Sequence, residues 1–140
     1  MFSNSSRTTC SGTAEYPTPC VLVERLVAEL IATERWSWVS FETKPKCFVQ
    51  FAHDGGEDLE INMAYSYSED YQSLFARHGL SIPDGWRMNE FKKKGWLSAG
   101  TMLLGASVRS IDTIAQFTDR CFKTIYGEPE DYQLSGVFQS

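Results

Sequence analysis

Between residues 46 and 65 the chain reads KCFVQFAHDGGEDLEINMAY, and this stretch constrains the fold more than any other. Side chains two apart on a strand share a face. In 47–52, Cys47, Val49 and Phe51 fall on one side, and Phe48, Gln50 and Ala52 on the other. In the return segment Leu59, Ile61, Met63 and Tyr65 share a face opposite Glu60, Asn62 and Ala64. Gly55 and Gly56 can adopt the positive φ that a tight reversal requires. The pattern predicts an antiparallel hairpin with one packed and one wetter face.

Two amphipathic segments can cover the packed face. In the first, Thr18 is placed to cap a helix and Pro19 suits its first turn, where a missing N–H has no helical partner. Leu22, Val23, Leu26, Val27, Leu30 and Ile31 then recur at helical spacing. In the second, Ser110 reads as a cap, and Ile111, Ile114, Ala115, Thr118, Cys121, Phe122 and Ile125 line one face until Gly127 and Pro129.

A shorter helix is expected after Ser66, with Glu69 completing a capping box and Gly79 as its stop. Residues 36–42 (WSWVSFE) read as a strand that Pro45 separates from the hairpin. Residues 86–108 read as two further strands divided near Gly95. The expected order is α-β-β-β-α-β-β-α. This is an α+β fold, a mainly antiparallel five-stranded sheet packed by amphipathic helices. Residues 1–16 read as a flexible leader, 17–127 as a single domain and 128–140 as a tail. Tyr132, Leu134, Val137 and Phe138 of that tail are able to dock on the body or on a partner.

Composition narrows the function. The net charge is −5, and the only basic run is Lys92-Lys93-Lys94, too short for the stripe that phosphate neutralisation needs. Nucleic acid is therefore not expected as a partner, whereas a basic peptide or protein suits the charge. No apolar run approaches a membrane span, and residues 1–18 carry no apolar signal core. Cys10, Cys20, Cys47 and Cys121 form no C-x-x-C pair and read as thiols of a reducing cytoplasm.

No catalytic, metal or cofactor motif is expected. His53 and Asp54, beside Glu57 and Asp58, read as solvated turn residues, and His78 as a cation near a helix end. No cysteine has a recognisable histidine partner, and phosphate-loop, dinucleotide and serine-hydrolase fingerprints are missing. Aromatic residues make up 14% of the chain. Trp36, Trp38, Phe41, Phe48, Trp86 and Trp96 exceed what one side of a small sheet easily buries, so a dense core and an apolar binding surface both stay open.

The segments FVQFAHDGGEDLEINMAY, LFARHGLSIP, NEF and IAQFTDRCFKTIYG resemble the TY-Chap group of peptide-binding chaperones, relatives of type III secretion chaperones and YbjN-type proteins. The matching positions are Val49 to Ala52, Leu59 to Asn62, Leu74 to Pro83 and Ile114 to Gly127; where the group often carries Trp, this chain has Leu80. The resemblance implies a cytoplasmic, homodimeric domain that binds a peptide or protein client without catalysis. Strand addition or docking on a sheet face is the matching mode of recognition. The residues expected to make the contact are Phe48, Gln50, Glu60 and Asn62 on the wetter face, with Trp86 and Trp96 as aromatic anchors. An immunity protein or antitoxin against one folded toxin is the alternative that the same composition allows.

Overall fold

The computed structural model describes residues 5–9, 18–33, 35–45, 47–53, 58–63, 70–84, 86–87, 91–93, 96–103 and 108–139. In chain order these form β1 (Ser5–Thr9), α1 (Pro19–Ala32), β2 (Ser37–Lys44), β3 (Cys47–His53), β4 (Asp58–Met63), α2 (Tyr71–Arg77), β5 (Trp86–Arg87), β6 (Phe91–Lys93), β7 (Trp96–Leu103), α3 (Val108–Arg120) and β8 (Ser135–Gln139). A π-helical turn, Cys121–Ile125, extends α3. The fold is α+β, with an antiparallel sheet ordered β1-β8-β2-β3-β4-β7-β5 and β6 also paired to β7.

Local chemistry sets the helix ends. The Thr18 side chain accepts the Val21 N–H at 3.3 Å, and Pro19 opens α1. Leu22, Val23, Leu26, Val27 and Leu30 are buried along one stripe of α1, which lies on β2, β3 and β8 and beside α3. Asp70, not Ser66, caps α2 and accepts the Ser73 N–H at 2.8 Å. Ser66 and Glu69 lie outside the described residues. Gly79, at φ 65°, ends this helix in a conformation that a side chain would oppose. Ser110 sits inside α3, which begins two residues before it. Ile114, Ala115, Phe117 and Thr118 of α3, with Cys121 and Phe122 of the π turn, complete the helical side of the core. The buried Thr118 hydroxyl donates back to the Ile114 carbonyl at 2.7 Å, so its polar atom is satisfied within the helix.

The sheet side of the core follows the alternation. Val39 and Phe41 of β2, Val49 and Phe51 of β3, and Leu59, Ile61 and Met63 of β4 are all sealed under the helices. Phe41 meets Phe51 edge to face, with ring centroids 6.1 Å apart. Val49 stands opposite Met63 and His53 opposite Leu59, so the hairpin has one register throughout.

The expected five strands are too few. The described residues form eight, because β1 arises within the expected leader, β8 within the expected tail, and the segment before β7 pairs as two short pieces. β8 lies between β1 and β2, with Phe138 opposite Val39 and Gly136 opposite Phe41. Tyr132 and Leu134 ahead of it are buried, so the C-terminal segment docks on the body rather than hanging free. Among the described residues, no helix is long and apolar enough to cross a membrane.

Candidate functional site on the open face of the sheet

The face of the sheet turned away from α1 and α3 is built from the alternate residues of its central strands. Register arranges them in rows across the sheet. One row runs Val137, Ser40, Gln50, Asn62; a second runs Gln139, Trp38, Ala52, Glu60; a third runs Ser135, Glu42, Phe48. Glu60 is exposed, and Trp38, Phe48, Gln50, Asn62 and Val137 are half-buried. Polar amides and a hydroxyl therefore form a central strip, with Trp38 on one side and Phe48 on the other. Trp36, just before β2, is 58% exposed.

Four of the six residues expected to make contacts thus share this face: Phe48, Gln50, Glu60 and Asn62. Trp86 does not join them. Its ring packs against Phe117 of α3 with centroids 4.8 Å apart, and it stands opposite Met102 on β7. It completes an aromatic run of Tyr71, Phe75, Phe117 and Trp86 that ties α2 and β5 to α3. Trp96 opens β7 opposite Lys93, and its side chain lies outside the described part of the molecule. Tyr126, at the end of the π turn, donates its hydroxyl to the Phe48 carbonyl at 2.9 Å and so anchors the β3 backbone beneath one aromatic of the open face.

His53 is not the solvated turn residue the sequence suggests. It is buried, and its Nδ1 lies 3.0 Å from the Leu30 carbonyl. A carbonyl only accepts, so Nδ1 carries the hydrogen, and the imidazole satisfies a terminal carbonyl of α1. Alternation carries the signal, since position 53 is in phase with Val49 and Phe51. Asp54 and Glu57 lie outside the described residues. Ser37 stands opposite His53 in register and is fully buried, so its hydroxyl has no route to a substrate.

Cys10 lies outside the described residues; the three described thiols point away from nucleophilic chemistry. Burial, aided by Asp119 and Glu24, pushes the Cys20 thiol up to about 11, and it donates to the Ala115 carbonyl at 3.9 Å. Burial raises Cys47 and Cys121 as well. A thiol held protonated is a poor nucleophile.

Among the described residues, no group of three or more His, Cys, Asp or Glu is placed to hold a metal ion. A shallow depression of about 250 Å³ between the α2–β5 connection and α3 is lined by Gly79, Leu80, Pro83, Gln116, Phe117 and Arg120. It falls below the roughly 300 Å³ at which small-molecule clefts begin. Comparison of the chain with protein-family models, with curated proteins and with solved structures gives no match in any of the three, so the likeness to the TY-Chap group rests on short motifs alone.

Proposed function

We propose that this chain is a non-enzymatic, chaperone-like binding domain that holds an extended segment of a protein client against the open face of its sheet. One observation carries the reading: helices seal one face, while the other presents two half-exposed aromatics around a strip of amide side chains. Gln50 and Asn62 each offer a donor and an acceptor, the pair that an extended main chain needs. Trp38 and Phe48 offer apolar area to alternate client side chains at little cost in side-chain entropy.

The test compares wild type with a Phe48→Asp/Glu60→Lys double variant. Both substitutions lie on the open face, so circular dichroism and thermal melting should stay near wild type. Immobilised wild-type protein is expected to retain a client from lysate, and to hold a permanently unfolded, reduced and alkylated protein, while the variant loses both. Retention of the same partners by the variant would sink the reading. Capture of a single folded partner, with no affinity for unfolded chains, would replace it by the immunity-protein alternative. A homodimer belongs to the same proposal, and sedimentation analysis reads it directly.

A further inference from the structure

On the helical side of the molecule, away from the open sheet face, the depression between the α2–β5 connection and α3 has a volume of about 250 Å³. Its floor and its mouth differ in chemistry. Leu80 and Phe117 are buried and form the floor, where Phe75 and Trp86 hold Phe117 edge to face at 5.8 and 4.8 Å. Ser81, Gln116 and Arg120 are exposed and stand round the mouth. None of the residues lining it carries a carboxylate.

Arg120 gives the depression its charge. Its guanidinium donates to the Gly79 carbonyl at 3.4 Å, a long bond that engages one of five N–H groups and leaves the charge uncompensated. It forms no ion pair among the described residues. The nearby acids of α3 are engaged elsewhere. Asp119 pairs with Lys123 and accepts the Tyr132 hydroxyl, while Asp112 accepts from the Gln116 amide.

We infer that this depression binds the C-terminal residue of a partner peptide, its carboxylate on Arg120 and its apolar side chain on Leu80 and Phe117. A guanidinium meets a carboxylate through two parallel N–H···O bonds, and an apolar wall that keeps water off one side strengthens the pair. A chain end carries a carboxylate and a side chain on the same Cα, which matches a cation beside an apolar floor. Size and shape favour a chain end over a free molecule. An apolar cavity of about 150 Å³ is enough for benzene, so one leucine-sized side chain fits here. The depression is shallow, however, and small-molecule sites enclose most of their ligand. A peptide end needs only its last residue held, with the rest of the chain outside. The inference goes beyond the open-face reading and does not depend on it.

Three acetylated pentapeptides test this: Gly-Ser-Gly-Ala-Leu with a free carboxylate, the same peptide amidated, and the free acid ending in Ser. In amide NMR titrations of the full chain, the Leu acid is expected to shift Gly79, Leu80, Ser81, Gln116 and Phe117. It should bind about ten-fold tighter than the amide, the size of one charge-assisted hydrogen bond. The Ser peptide should bind several-fold more weakly, having lost its apolar contact. Arg120→Gln should remove the preference for the free acid. Gln116→Glu should do the same, because it gives Arg120 an acidic partner one helical turn away. Both positions are exposed, so circular dichroism and melting should stay near wild type. No binding of any peptide, equal binding of acid and amide, shifts confined to β2, β3 and β4, or a preference that survives in either folded variant would each overturn the inference. Isocaproate carries the same side chain and carboxylate without a peptide behind them; if it bound as tightly as the Leu acid, the chain-end assignment would fall. The Phe48→Asp/Glu60→Lys protein should bind the Leu acid as wild type does, so loss of the open-face client and loss of this site are read separately.

Discussion

Gly136 shows how closely one residue can be specified. A Cβ placed there would lie 2.5 Å from Leu26 Cδ1 and 3.2 Å from the Phe41 ring. Leu26 is buried on α1 and Phe41 on β2, so neither can retreat without disturbing the core. Gly136→Ala should therefore destabilise the protein by about 1–3 kcal/mol, the usual cost of overpacking, and lower its melting temperature by several degrees. An unchanged melting curve would mean that α1 does not press on β8 there. The thiols make a second claim at this scale. Cys20 keeps its proton to about 11, from an ordinary 9.0, chiefly because it is partly buried, and full burial raises Cys121 too. An unfolded chain loses these protons above pH 9 while the folded chain retains them. Stability should be complete below pH 9 and fall from pH 9 towards 11. At pH 8, Cys20 and Cys121 should resist a disulfide-exchange reagent until denaturant is added; rapid labelling of either in the native protein would contradict their placement.

At the scale of elements, β8 matters most. It lies between β1 and β2, while Leu134 and Tyr132 just before it enter the core and Phe122 stacks on Tyr132 at 5.8 Å. Truncation after residue 133 would strip β2 of a neighbour, leave β1 without its partner and open a cavity at Leu134. Removal of a buried leucine alone typically costs about 2–5 kcal/mol. The truncated chain should lose its cooperative thermal transition, and a sharp melt at the wild-type temperature would show that β8 is dispensable. This element was also the least legible in the sequence. α1 and the β3–β4 hairpin are long enough for their apolar periods to declare themselves, and Thr18-Pro19 marks a start. SGVFQ and SSRTT are short, and one holds a glycine while the other has no apolar residue, so they become strands through pairing rather than through their own pattern. The open face was legible for the same reason as the hairpin, since alternation alone puts Phe48 and Gln50 with Glu60 and Asn62. Trp86 was not, because its place depends on Phe117, a contact between segments far apart in the chain.

For the whole molecule, sheet order and chain order disagree, and that has a measurable consequence. β2 sits inside the described sheet between β3, its neighbour in sequence, and β8, almost a hundred residues later in the chain. Closing a pairing across so much chain is entropically expensive and slow, so folding should be slower than the helices and the local β3–β4 hairpin alone would suggest. Once formed, the pairing places residues near the C-terminus under α1 beside Val39 and Phe41. Amide exchange measures opening strand by strand. The slowest amides are expected in β2, β3 and β4 and at the paired positions of β8, close to the stability of the whole fold. The amides of β1, β5 and β6, at the ends of the sheet, should exchange orders of magnitude faster. Strong protection at 136–138 is the outcome that separates this topology from one in which these residues merely rest on the surface. Fast exchange there, with β2 and β3 still protected, would remove β8 from the sheet. It would also make β2 an edge of the described sheet.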